Sequence, residues 1–319
     1  SIKGLPSLIW FYLIILTTMV VVGLMGNGFI TLANGCAWVG NKALPPCDVI
    51  VMALSASRLV FLALIQAVHC VFFIDLKLRY LPTALIFIWA FLNAFTTWMA
   101  TCLAVFYCMK IVNFTKPFLE KIKLSISSMV PHMLLGSFLA SLVASLSFIC
   151  MRFFPQHCNR TMILLSGSNQ TCSVWTPWTS YSYIIGTSPA FIIFLICSVF
   201  LINSLLHHVK KLKQNKDGFR DQRMDVHVRA VKTFISFLIL YSATFSSMVS
   251  MTLLYSELAV ALSKIAVIAF HSGHSVVLVL TNTRLKQALG KALCGAMGHS
   301  GRETASSSCP KTSIESCPS

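Results

Sequence analysis

Seven apolar runs, at roughly Leu8–Leu32, Val49–Val71, Thr83–Met109, Leu124–Met151, Ser180–Leu206, Val231–Tyr255 and Leu258–Leu280, leave the chain few ways to fold. Each reaches or exceeds the ~20 residues with which a helix crosses a bilayer. A soluble domain of 319 residues with 56% hydrophobic and only 11% charged residues would leave far too much apolar surface in water. The expected fold class is therefore all-α, a seven-transmembrane helix bundle. The first run is too long for a signal-peptide core and lacks an A-x-A site in a suitable place, so it is read as its own insertion signal.

Lys and Arg, retained in cytoplasmic loops, set the orientation. The segments after runs one, three and five, with the C-terminal tail, hold eighteen of the 25 basic residues. They include Lys42, Lys110, Lys121, Lys123, Lys210, Lys211, Lys213, Arg229, Lys232, Arg284, Lys286 and Lys291. The N-terminus is expected outside and the C-terminus inside. Asn159-Arg-Thr161 and Asn169-Gln-Thr171 then face outward as glycosylation sequons, whereas Asn113-Phe-Thr115 lies inside and stays bare. The basic residues sit between apolar runs and form no single stripe, which speaks for topology and lipid headgroups and against nucleic acid.

The twelve cysteines contain no C-x-x-C pair, so neither a zinc site nor a disulfide framework is indicated; Cys158 and Cys172 share one loop and either pair or stay free. No internal repeat and no soluble domain interrupts residues 1–297. Within Arg284–Met297, Leu285, Leu289, Ala292 and Leu293 share a helical face with Arg284, Lys286 and Lys291 elsewhere, which suits a helix on the inner leaflet. Cys294 there is a candidate for acylation, and residues 298–319 read as a disordered cytoplasmic tail.

Ionisable groups inside a bilayer are costly and mark function. Arg58 sits near the middle of run two, where an Arg costs ~2.5–3.5 kcal/mol on insertion scales unless its five donors are satisfied. Asn27, Ser275 and the carbonyls around His274 are its expected partners. No Asp or Glu lies within a run, which removes a carboxylate proton relay or sodium site and, with no pair of interrupted helices, argues against a transporter. His271 and His274 stand three apart without a third ligand, so packing and hydrogen bonding are expected rather than a metal.

A second set of residues follows from depth, at about 1.5 Å per residue from each outer end. Trp89 and Asn93 share a face of run three about 10–16 Å deep, with Thr97 a turn further in. Lys264 lies about 9 Å into run seven, and Phe245 and Met248 lie at similar depth on run six. An aromatic wall, an amide, a charge and a flexible Met make an orienting yet tolerant small-molecule pocket. The alternatives are that Trp89 and Met248 only pack between helices and that Lys264 snorkels to the surface. No nucleophile–base pair or metal set converges, so neither enzymatic chemistry nor a cofactor is expected.

Several strings resemble the bitter taste receptor family, the type 2 taste receptors, along the whole chain. They are Gly26-Asn27-Gly28-Phe29-Ile30; Leu54-Ser55-Ala56-Ser57-Arg58-Leu59; Trp89, Asn93 and Phe106-Tyr107-Cys108-Met109-Lys110-Ile111-Val112-Asn113-Phe114; Ser204-Leu205-Leu206-His207-His208; His227 and Lys232; and His274-Ser275-Val276-Val277-Leu278 with Asn282-Thr283-Arg284-Leu285-Lys286. The resemblance implies a G protein-coupled receptor for bitter compounds that activates gustducin or a related inhibitory-class G protein. It assigns Trp89, Asn93 and Lys264 to the ligand pocket and Arg58, Tyr107, Lys110, His208 and His274 to switching and coupling. The inner end of run six near His227 and Lys232 belongs to the same machinery.

Two departures from the family pattern stand out. His271 replaces the proline of the family's P-S-x-H-S string, which predicts loss of a kink and altered activation. Lys264 stands where relatives often carry Glu or another polar residue, which predicts a tilt toward anionic or acceptor-rich ligands. A vomeronasal-type pheromone receptor is the nearest alternative, and an ion channel or transporter a more distant one; the strings on runs three and seven favour the taste receptor.

Overall fold

The computed structural model describes residues 7–74, 83–112, 117–153, 177–214, 220–254 and 257–300. Its helices are α1 Ser7–Asn41, α2 Pro46–Ile74, α3 Thr83–Ile111, α4 Pro117–Phe153, α5 Pro177–Gln214, α6 Arg220–Leu254, α7 Glu257–Thr281 and α8 Thr283–Ser300. The first seven are long and apolar enough to cross a membrane. Pro46, Pro117 and Pro177 each open a helix, where the missing N–H has no intrahelical partner to lose. Lys42, with φ of 56°, closes α1 in the left-handed conformation that ends helices.

Several helices outrun their apolar runs. Helix α1 continues past Leu32 to Asn41, and α5 carries Lys210, Lys211 and Lys213 on its last turns. Hydropathy marks only the lipid-embedded stretch, whereas the backbone ladder continues wherever side chains permit. Helix α8 likewise extends through residues 298–300, where the sequence reading begins the tail. The expected sequons at Asn159 and Asn169 and the Cys158–Cys172 loop lie outside the described residues, as do Asn113 and the side chain of His227.

Sequential helices pack side by side and α7 returns to α1, so the seven close into a ring. Helix α3 packs on α2, α4 and α5 and is buried around its circumference from Met99 to Ala104, with Ala90, Asn93, Ala94 and Thr96 also deep inside. A helix buried on every side serves as the axis of a bundle. Helices α1, α4 and α5 instead turn Phe11, Met25, Leu135, Val143, Ile185 and Phe200 outward as the lipid-facing belt.

Close approach of α1 to α7 rests on two glycines. A Cβ on Gly23 would overlap the Ser272 side chain and stand 2.6 Å from Leu62 Cδ1, and one on Gly26 would stand 2.5 Å from Ser275 Oγ. Helix α7 carries no proline, and α4 and α5 hold theirs at Pro131 and Pro189. Asn282 alone separates α7 from α8 and caps the latter, its Oδ1 accepting from the N–H of Arg284 at 3.0 Å and of Leu285 at 3.3 Å. Arg284 pairs with buried Asp48 on the first turn of α2, and Leu285 is buried in the core. These contacts fix α8 to the end of the bundle where Lys42, Lys110, Lys123 and Lys210 collect, here termed the basic end.

Candidate functional site

Helices α3, α5 and α6 enclose a small cavity in the half of the bundle away from the basic end. Asn93 and Thr97 come from α3, Tyr183 and Thr187 from α5, and Tyr241, Thr244, Phe245 and Met248 from α6. Each set follows helical spacing of three, four or seven, which puts it on one face. The cavity volume is about 10 Å³, room for about one water.

The walls are held rigidly. Asn93 Nδ2 donates to the Tyr183 hydroxyl at 2.8 Å, and both residues are almost fully buried. Trp89 stacks on Tyr183 with centroids 6.4 Å apart, and Phe148 meets it edge-on at 5.9 Å. Phe245 stacks on Phe191 at 4.1 Å. The hydroxyls of Thr97, Thr187 and Thr244 donate to the carbonyls of Asn93, Tyr183 and Leu240 at 2.9, 3.0 and 2.9 Å. Each has one proton, so their oxygens offer lone pairs to any further donor.

Of the six residues expected at a ligand pocket, the cavity brings together Asn93, Thr97, Phe245 and Met248. Trp89 stands one ring behind the wall, stacked on Tyr183 and packed against the same cluster as Met248. Lys264 is exposed and is not among the lining residues. It lies seven residues before His271 and so continues, two turns further from the basic end, the face of α7 that carries Ile268 and His271. Depth matched Lys264 to the other residues; its direction around the helix did not. Tyr183, Thr187, Tyr241 and Thr244 were missed. For Tyr241 and Thr244 the signal was present, since they share a face with Phe245 and Met248.

From the cavity floor an unbroken chain of rings runs toward the basic end. Tyr241 stacks on Phe270 at 5.3 Å, Phe270 on His274 at 5.8 Å, and His274 meets Phe237 edge-on at 3.5 Å. Phe237 meets Phe234 at 6.2 Å, and Phe234 meets Tyr107 at 5.5 Å. The Tyr107 hydroxyl accepts from Cys47 Sγ at 3.1 Å, which ties α3 to the start of α2. The remaining coupling residues stand at the same end: Lys110 and His208 half-buried, His208 with its ring 6.4 Å from that of His207, and Lys232 exposed.

Arg58 departs from its expected surroundings. It is fully buried, yet none of its three nitrogens has a hydrogen-bond partner among the described residues. Asn27 Nδ2 donates instead to the carbonyls of Gly23 at 2.8 Å and His271 at 3.2 Å, and Ser275 Oγ donates to the Ser272 carbonyl at 2.7 Å. The guanidinium lies over the Phe270 ring, 4.9 Å from its centroid. A cation over a ring gains about 0.5–2 kcal/mol but pairs no N–H. His271, where the family string has proline, is buried with its ring 4.4 Å from Phe61 and its Nε2 3.4 Å from Thr96 Oγ1. The Thr96 proton points to the Asn93 carbonyl at 2.9 Å, so His271 Nε2 is the donor in that contact and its Nδ1 is left as an acceptor.

The sequence profile described as taste receptor protein (TAS2R) matches residues 5–297. Taste receptor type 2 member 9 of Macaca mulatta is 32% identical over 299 residues, covering 88% of this chain and 93% of that protein. Taste receptor type 2 member 40 of Gallus gallus is 33% identical over 298 residues, with 89% and 94% covered. Squid rhodopsin, a crystal structure, superposes with a TM-score of 0.60 over 94% of this chain and 89% of that one; at 13% identity this establishes the fold alone.

Proposed function

The chain belongs to the type 2 taste receptor family, and from that premise we propose that the cavity between α3, α5 and α6 receives bitter small molecules and that the basic end activates gustducin or a related inhibitory-class G protein. Family and fold make it a multi-pass plasma-membrane bitter taste receptor that couples to G proteins, and not an enzyme. In the proposed orientation the basic end faces the cytoplasm, with α8 along the inner leaflet near anionic lipid. Asn159 and Asn169 then carry glycans on the opposite side.

The observation that carries the ligand assignment is the cavity's double connection. Its walls hold the Asn93–Tyr183 pair, and its floor, Tyr241, begins the ring chain that ends at Tyr107. A ligand shifts a two-state equilibrium only by binding the two states differently. With room for about one water, an agonist enters only as α5 or α6 moves away from α3, and movement of α6 displaces Tyr241 from Phe270 on α7. The threonine oxygens favour ligands with N–H or O–H donors. Lys264, further along α7 toward the mouth, attracts anionic or acceptor-rich ones, with Trp89 behind the wall fixing Tyr183.

The test is G-protein dissociation in cells expressing the chain with gustducin, screened against chemically varied bitter compounds that include acids. Responses lost on Asn93→Ala, and acid responses weakened on Lys264→Glu, support the assignment. An acidic agonist whose potency ignores Lys264→Glu removes the lysine from it, and activation of no inhibitory-class G protein by any compound, with surface expression verified, overturns the coupling.

A further inference from the structure

We propose that Arg58 anchors a binding site for one small monovalent anion, chloride in the first place, in the middle of the bundle. The site lies apart from the agonist cavity, and Phe270 and His274 beside it belong to the ring chain that leads from that cavity to the basic end.

The inference starts from charge. Arg58 is fully buried near the centre of a membrane-spanning helix. The carboxylates on the spanning segments among the described residues, Asp48 and Glu120, stand in the first turns of α2 and α4, and Asp48 is taken by Arg284. Asp48 is also three turns, about 15 Å, along the helix from Arg58. A buried charge without a counter-charge is strongly destabilising, and a guanidinium remains protonated in proteins.

Hydrogen bonding points the same way. Among the described residues all three Arg58 nitrogens are unpartnered, and so are the buried Ser272 hydroxyl and both ring nitrogens of His274. His271 and His274 flank the Phe270 ring on which Arg58 rests, at 5.3 and 5.8 Å between centroids. The cluster thus holds an excess of N–H and O–H donors around one uncompensated positive charge. Water can join some of these donors to the acceptors left nearby, Asn27 Oδ1, His271 Nδ1 and the His274 nitrogen that carries no proton. Water leaves the charge itself uncompensated. A monovalent ion neutralises it, whereas a divalent oxyanion would reverse the imbalance, and a single-atom halide demands the least room in a close-packed bundle.

The experiment uses the full chain in nanodiscs of zwitterionic phosphatidylcholine, with sodium chloride exchanged for sodium gluconate at constant ionic strength. Gluconate is many times larger than a single-atom halide and is not expected to enter a close-packed bundle. Thermal unfolding is expected to show a saturable chloride-dependent rise of about 2–4 °C, with bromide acting in its place. The chlorine NMR line of the wild-type chain is expected to broaden and to sharpen again as bromide displaces chloride. In Arg58→Gln both effects vanish. Arg58→Lys, which keeps the charge and gives up the planar fork, weakens halide affinity several-fold. Equal melting in chloride and gluconate with an unbroadened line overturns the proposal without any variant, and water alone then serves Arg58. A halide effect of unchanged size in Arg58→Gln or Arg58→Lys overturns it too, because the ion then sits elsewhere.

Discussion

Tyr183→Phe isolates a single hydroxyl whose loss has a size that can be worked out. The ring stays, and with it the packing on Trp89 and Phe148. What disappears is the acceptor for Asn93 Nδ2 at 2.8 Å and the weaker donation to the Ala90 carbonyl at 3.5 Å. Asn93 is 2% exposed, so bulk water does not reach its amide, and the cavity it lines has room for about one water. A buried donor left unsatisfied costs about 1–3 kcal/mol, and that one water sets the cost toward the lower end of the range, whereas removing both partners in favour of apolar groups of similar shape is nearly neutral. Tyr183→Phe alone is therefore expected to lower the melting temperature by a few degrees, and Asn93→Leu added to it to restore most of the loss. Thermal unfolding of purified receptor, followed with a thiol-reactive dye that reports exposure of buried Cys102 and Cys108, reads this directly. The double-mutant cycle should give a coupling of about 0.5–3 kcal/mol. A Tyr183→Phe chain that melts like wild type, or losses that simply add, would refute the pairing.

Other outcomes follow from other parts of the bundle. Gly23→Leu drives a side chain into Ser272 and Leu62 and is expected to abolish surface expression, while Gly35→Leu, whose Cβ meets nothing within 4 Å, is expected to leave it intact; flow cytometry distinguishes them. Arg284→Gln strands the buried Asp48 carboxylate and should lower the melting temperature, and a second change, Asp48→Asn, should recover much of it. His271→Pro removes a backbone N–H from α7 together with the ring contacts to Phe61 and Thr96. It is expected to raise G-protein responses at some loss of thermal stability, read by dissociation and melting assays on the same preparation.

Much of the fold was legible because lipid imposes one rule, internal satisfaction of every backbone polar group, and the chain obeys it seven times. Helix ends were less so, since α5 and α6 continue through Lys210 and Arg229 on side chains that hydropathy scores as loop. The cavity was half legible. Counting residues from a helix end gives height, which found Asn93, Thr97, Phe245 and Met248; direction around the axis depends on packing, which placed Lys264 on another face and brought Tyr183 and Thr187 in from α5. Arg58 shows a different limit. A search for polar partners named Asn27 and Ser275, but their hydrogen bonds go to backbone carbonyls, and the guanidinium lies over the ring of Phe270.

Blocking the cavity tests most directly whether bitter agonists act there. Met248→Trp adds bulk to a space with room for about one water, and Leu253→Trp adds the same bulk at an exposed position on the same helix. Concentration–response curves for gustducin dissociation, taken with an agonist of the wild-type chain and normalised to surface expression, should collapse for Met248→Trp and keep wild-type potency for Leu253→Trp. Equal potency of both variants would contradict a ligand site between α3, α5 and α6.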